Sequence, residues 1–93
     1  MENLNLENIK IFKAFSDEIR LEIIKNLKIK ELCACNIMEI LDISQSALSY
    51  HMKILCDSKI VNYRQDGKWT YYTINKENCL KASKLILEIT GNN

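Results

Sequence analysis

The 93 residues contain no proline, and their only glycines are Gly67 and Gly91. With glycine this scarce, each one marks a specific backbone demand. No apolar run approaches the ~18 residues that a membrane-spanning helix needs. There is no internal repeat and no low-complexity segment. Met1-Glu2-Asn3-Leu4 carries an acid and no basic stretch, so no signal peptide is expected and the chain is read as cytoplasmic. A charge excess is missing too: 13 basic and 12 acidic residues leave +1. That excludes the bulk basicity of a protein that coats nucleic acid nonspecifically, so any DNA role must come from local clustering or symmetry. Enzyme signatures are absent. His51 is the only histidine, no base adjoins a thiol, and there is no phosphate loop and no Cys-x-x-Cys motif. The chain is expected not to be an enzyme.

What is present suits a single small folded domain, with a hydrophobic fraction of 47%. The most informative stretch runs from Ile43 to Leu55. Ser44 is placed to cap a helix, since its hydroxyl can accept from first-turn N–H groups. Leu48, Met52 and Leu55 fall at i, i+4 and i+7 and form one apolar stripe. Gln45, Ser46, Ser49, Tyr50 and Lys53 point the other way. That face has hydrogen-bonding groups, a cation and an aromatic ring, and no carboxylate. A face that lies in a DNA groove excludes carboxylates and keeps donors for phosphates and base edges.

The flanking segments give this helix a context. Residues 5–15 read as a first helix with Leu6, Ile9, Phe12 and Phe15 on a wide apolar stripe and Ile11 beside it. Ser16 is expected to cap a second helix, with Asp17 and Glu18 in a first turn that favours acids. Ile19, Ile23 and Leu27, with Leu21 and Ile24 alongside, form its buried side, and it ends near Lys28. Residues 31–41 read as a short third helix with Leu32, Ile37, Ile40 and Leu41 in the core. Asp42-Ile43-Ser44 then makes a tight turn in which Asp42 can take the left-handed conformation. A short helix, a tight turn and a polar-faced helix form a helix-turn-helix over about residues 31–56.

After Asp57-Ser58-Lys59 the pattern changes to alternating β-branched and aromatic residues, giving a hairpin over about 60–74. Asp66-Gly67 is expected to form a type I′ turn. That register sets Val61 against Tyr72, Tyr63 against Thr70, Asn62 against Tyr71 and Arg64 against Trp69. Arg64 and Lys68 make the tip basic, as a wing that reaches the DNA backbone requires. Residues 76–90 form a last helix, capped by Asn75 and stopped at Gly91. Cys79, Ala82, Ile86 and Ile89 line one stripe, widened by Leu80, Leu85 and Leu87. The first and last helices are too apolar for a monomer of this size, which predicts a homodimer through residues 5–15 and 76–90. A two-fold dimer sets two recognition helices about one DNA turn apart, so the operator is expected to be an inverted repeat. The predicted fold is mainly α with a β-hairpin wing: four helices, two strands and a fifth helix in one domain over residues 1–93.

The four cysteines, Cys33, Cys35, Cys56 and Cys79, read as reduced thiols in a cytoplasmic chain. Cys33 and Cys35, taken as helical, would project roughly 200° apart at 3.6 residues per turn. A soft, thiophilic ion could then take both sulfurs only by bending or unwinding that turn, which would disturb the recognition helix behind it. Cys56 falls on the apolar face four residues after Met52, and Cys79 on the presumed dimer stripe, so both read mainly as packing residues.

Several motifs together resemble the ArsR/SmtB family of metal-responsive repressors. They are Phe12-Lys13-Ala14-Phe15, Arg20-Leu21-Glu22-Ile23, Glu31-Leu32-Cys33-Ala34-Cys35, the stretch Ser44–Leu55, and Asp66-Gly67-Lys68-Trp69-Thr70-Tyr71-Tyr72. The resemblance covers nearly the whole chain. It implies a winged helix-turn-helix homodimer that represses its operon and leaves the DNA on binding inducer. The Glu-Leu-Cys-x-Cys box is similar to the arsenite- and antimonite-responsive branch, which implies As(III) or Sb(III) as inducer and Cys33 and Cys35 as its ligands. The sequence departs from the family pattern in four places. Position 38 is Met where many members of that branch have a third cysteine, which leaves an exogenous ligand, Cys79 or Cys56 as the third donor. Asp17-Glu18 replaces an Asp-Pro. The zinc-sensor site of the last helix and the N-terminal cysteines of the cadmium and lead sensors are missing. Two other readings stand beside this one: a redox or reactive-sulfur sensor using the same thiol pair, and a winged-helix protein-interaction module with no operator.

Overall fold

The computed structural model describes residues 5–92. The expectation for the first four residues lies outside the described residues. The chain forms α1 (Leu6–Ala14), α2 (Glu18–Leu27), β1 (Leu32–Cys33), α3 (Ala34–Leu41), α4 (Gln45–Asp57), β2 (Val61–Asp66), β3 (Trp69–Ile74) and α5 (Lys76–Ile89). All five helices and the hairpin stand where the sequence pattern put them, with α3 beginning at Ala34 rather than at residue 31, and β1 is an addition.

Each helix start has a local cause. Asn5 Oδ1 accepts from Asn8 N–H at 2.9 Å to cap α1. The cap of α2 is Asp17, one residue later than expected, with Oδ2 accepting from the N–H groups of Ile19 and Arg20 at 2.8 and 3.1 Å. Asp17 displaces Ser16 from that role because its carboxylate complements the helix dipole as well as accepting bonds. Ser16 instead donates to the Lys13 carbonyl. Asp42 takes φ +52° in the turn before α4, as expected of an Asp there. Asn75 caps α5 through Asn78 N–H. Beyond α5, Gly91 at φ +75° sends its N–H to Glu88 O while Asn92 N–H reaches Leu87 O. Those two bonds make a Schellman stop, which requires a left-handed residue at Gly91.

The core gathers Ala14, Ile23, Leu27, Leu32, Ile37, Leu48, Met52, Leu55, Ile60, Val61 and Ala82. Two expected core residues lie outside it: Leu21 is exposed, and Ile40 is 51% exposed on α3. α3 starts at Ala34, and a helix of 8 residues offers the core only the stripe centred on Ile37.

The sheet has the order β1-β3-β2, all antiparallel. Residues 32–33 are extended rather than helical, because Leu32 and Cys33 pair with Tyr72 and Tyr71 of β3. The hairpin register is two residues from expectation: Val61 pairs with Ile74, Tyr63 with Tyr72, Arg64 with Tyr71 and Asp66 with Trp69. The connecting pair is therefore Gly67-Lys68. Gly67 alone has positive φ there, at +62°, so glycine occupies the first turn position of a type II′ arrangement instead of the second of a type I′. A shift of two leaves every side chain on its expected face.

Candidate nucleic-acid interface and thiol site

α4 is held by its apolar stripe: Leu48, Met52 and Leu55 are buried. Ser44 Oγ accepts from Ala47 N–H at 3.1 Å and fixes the start of the helix. A second clamp was not foreseen. Arg20, on the same stripe of α2 as Ile23 and Leu27, is 5% exposed. Its Nη1 lies 2.9 Å from His51 Nδ1, while Nε and Nη2 donate to the Lys13 carbonyl at 3.2 and 3.0 Å. A guanidinium can only donate, so His51 Nδ1 is the acceptor of this contact. Asp17 Oδ2 stands 3.8 Å from the same nitrogen. One buried cation thus ties the end of α1, the start of α2 and the middle of α4. The one signal in the sequence was a charge at the i−3 position from Ile23.

The opposite face is open. Gln45, Ser46, Ser49, Tyr50 and Lys53 are all exposed. Asp57 extends the helix past the expected face, and its carboxylate pairs with Lys53 Nζ at 3.2 Å. Between α4 and the wing lies a groove of about 330 Å³, lined by Ser49, Lys53, Cys56, Tyr63, Gln65 and Thr70 among others. Tyr63, Gln65 and Thr70 were not among the expected contacts. They reach the groove because Val61, two residues before Tyr63 on β2, anchors the strand in the core. At the wing tip Lys68 sits over the Trp69 ring, 5.2 Å from its centroid. Arg64 is engaged elsewhere. Its Nε and Nη2 donate to the two carboxylate oxygens of Glu31, each at 2.9 Å, and its guanidinium stacks on Tyr71 at 4.4 Å. Those bonds hold the Glu31 carboxyl below its ordinary pKa and raise that of Arg64.

The expected separation of the two thiols is overturned. Cys33 is not in the helix but at its N-cap, with φ −82° and ψ 161°. In that extended geometry its sulfur turns toward Cys35, and the two Sγ atoms are 2.6 Å apart. The pair converges without unwinding α3, so the distortion expected from helical spacing has no basis. Asn36 completes a capping box with Cys33, its Oδ1 accepting from Cys33 Sγ at 3.0 Å and Cys33 N at 3.4 Å. Burial acts to raise the Cys33 thiol, but the Cys35 S–H and the backbone N–H groups of Asn36, Cys35 and Cys33 outweigh it and lower the pKa. The bond to Cys33 raises that of Cys35, helped by burial and by the Cys33 charge. The pair therefore comprises one thiolate-prone buried sulfur and one exposed proton donor at the start of a helix, where the dipole favours the anion.

The other thiols differ. Cys56 packs on the core and is pushed up to about 11 by burial and the Asp57 charge. Cys79 also packs on the core and is raised by burial. Among the described residues no group of three His, Cys, Asp or Glu side chains converges as a metal site. Neither Cys56 nor Cys79 therefore completes a three-donor cluster with the pair. Among the same residues no helix is long and apolar enough to cross a membrane.

A capped helix with an open polar face, a preceding short helix and a hairpin wing define a winged helix-turn-helix domain, the class of fold that presents a recognition helix to DNA. The solved structure of an ArsR-like transcriptional regulator from Rhodococcus sp. RHA1 is similar, with TM-score 0.79, 27% identity and coverage of 91% of this chain and 79% of that one. Residues 17–63 match the bacterial regulatory protein, arsR family. This chain belongs to that family. It is 43% identical to the arsenical resistance operon repressor of Bacillus subtilis (strain 168) over 67 residues, 71% of this chain and 64% of that protein. It is 46% identical to the arsenical resistance operon repressor of Staphylococcus aureus over 65 residues, 70% and 62% of the two chains. The alignments thus span somewhat under two thirds of these relatives.

Proposed function

We propose that this chain is a cytoplasmic transcriptional repressor that binds a double-stranded, inverted-repeat operator as a homodimer. In this reading α1 and α5 form the dimer interface. Gln45, Ser46, Ser49, Tyr50 and Lys53 enter the major groove, and Lys68 approaches the backbone from the wing tip, while Arg64 stands behind it bound to Glu31. The pair Cys33 and Cys35 is the inducer site for As(III), Sb(III) or another thiophilic metal ion, whose soft acceptor character suits thiolates. No constitutive cofactor is needed.

The observation that carries the reading is the 2.6 Å approach of the two sulfurs, with Cys33 lowered in pKa, on a strand that pairs with the wing. The residues fit a thiophilic ligand because both donors converge without refolding, and one is already poised to lose its proton. A further donor would come from outside the cluster. The test is arsenite titration of the reduced protein bound to an inverted-repeat duplex. Loss of two titratable thiols per chain together with operator release is expected, and release with all four thiols still titratable would contradict it.

The same contact also favours a second reading. A low-pKa thiolate beside an exposed partner thiol is the arrangement of redox-sensing cysteines. There the two thiols would close to a disulfide, giving two electrons and two protons to a polysulfide oxidant. Release by polysulfide but not by arsenite, reversed by dithiothreitol, would favour it.

A further inference from the structure

Three residues form one row across the sheet. Tyr71 of β3 is the register partner of Cys33 on one side and of Arg64 on the other. Directly opposed residues in antiparallel strands present their side chains to the same face, with Cβ atoms about 5 Å apart. The row therefore runs from the thiol site to the wing in two steps. Glu31 closes it into a loop. It lies two residues before Cys33, hence on the same side of the extended segment, and reaches across to grip Arg64 with both oxygens. Arg64 in turn stacks on Tyr71. Two of the guanidinium's three nitrogens are taken by Glu31, and the third is 3.9 Å from Asp66.

We propose that Glu31, Tyr71 and Arg64 are positioning residues that fasten the wing to the Cys33–Cys35 pair, so that occupation of the pair is transmitted to the hairpin. The proposal rests on reading the pair as the inducer site. It assigns Arg64 a task other than holding phosphate. Three features argue for transmission. The bidentate fork fixes orientation as well as distance, which a single contact would not. The contact spans 33 positions of sequence, from the segment before β1 to the wing. And the ion pair is half exposed, a setting in which pairs add little to stability, so a structural role alone would be a weak one.

The test uses the reduced full chain and four proteins: wild type, Glu31→Gln, Arg64→Gln, and the exchanged pair Glu31→Arg with Arg64→Glu. Phenylarsine oxide is the probe. It closes across two neighbouring thiols by forming two As–S bonds while its oxygen leaves as water with both thiol protons, and arsenic stays trivalent. Mass spectrometry reports the adduct, and the emission of Trp69, the only tryptophan, reports the wing from two residues before Tyr71 on β3. All four proteins are expected to take one equivalent across Cys33 and Cys35 and to keep the same urea midpoint. Emission is expected to shift on labelling in wild type, to lose that shift in either single variant, and to regain it in the exchanged pair. With arsenite and operator, the single variants should need about tenfold more inducer for release, within the usual span of allosteric couplings.

An adduct that leaves wild-type emission unmoved, or single variants that respond like wild type, would overturn the link. A gain in operator affinity for Glu31→Gln, with the salt dependence steeper by about one charge, would also overturn it by marking Arg64 as a masked phosphate contact. A link-dependent emission shift without operator release would leave the link standing and refute the sensor reading. Failure of the pair to take the reagent at all would remove the input and overturn both.

Discussion

At the scale of single residues, small differences in environment separate groups of the same kind. Asp17 caps α2 and lies beside the Arg20–His51 contact. The Arg20 N–H bond, aided by the Ile19 N–H and the Arg20 charge against the cost of burial, lowers its pKa. Its stabilising contribution is therefore present above the ordinary carboxylate pKa and is lost as pH falls through that value and then the lowered folded one. Asp17→Ala is expected to cost about 1 kcal/mol in urea unfolding near neutrality. That gap should narrow toward about pH 3, and a constant gap would contradict the assignment. The four thiols separate similarly. Brief alkylation with iodoacetamide near pH 8 should modify the Cys33–Cys35 pair before Cys56 and Cys79, since burial holds the latter two protonated. Peptide mass mapping reads the order, and early labelling of Cys56 would refute it. Cap residues such as Ser44 and Asn75 were legible because capping is a local property. Arg20 was not, because its partners on Lys13 and His51 come from other helices.

At the scale of elements, periodicity was the dependable guide wherever an element was long enough to show one. α4 was readable because its cap, stripe and polar face agree over 13 residues. β1 was not, since two residues carry no period and only the pairing with β3 makes them extended. The hairpin shows a narrower ambiguity. A single glycine with positive φ serves equally as the second position of a type I′ turn or the first of a type II′, and these differ by two residues in register. The thiol geometry followed from β1. A helical Cys33 would point away from Cys35, whereas an extended one meets it. The Glu31–Arg64 clamp joins positions too distant for any sequence pattern to reveal. For the recognition element the expectation is direct. Ser49→Glu and Lys53→Glu place carboxylates on the exposed face, so both should abolish operator binding in a gel shift. Their stability should change by less than ~0.5 kcal/mol, because the Lys53–Asp57 pair is exposed and such pairs contribute little. Retained binding would move the recognition surface elsewhere.

At the scale of the whole molecule, the domain is drawn out to 43 Å by 21 Å by 21 Å. Leu6, Ile9, Phe12 and Phe15 at one end of the sequence, and Leu80, Ile86, Leu87 and Ile89 at the other, leave large apolar side chains in water. A second copy would cover them and set two recognition helices on one face of DNA. Phe12→Glu with Ile86→Glu is expected to halve the sedimenting mass and to weaken operator binding by orders of magnitude, since each half-site must then bind alone. A wild-type monomer on the operator would refute this arrangement.

The central claim is that a thiol pair held beside the wing controls the grip of α4 on DNA. Its most direct test is fluorescence anisotropy of a labelled operator titrated with arsenite, using wild type and Cys33→Ser/Cys35→Ser. Both proteins should bind the operator with equal affinity when arsenite is absent. Wild type should release it as about one equivalent per chain is added, and the double serine variant should stay bound throughout. Release of the variant at the wild-type concentration would contradict the account.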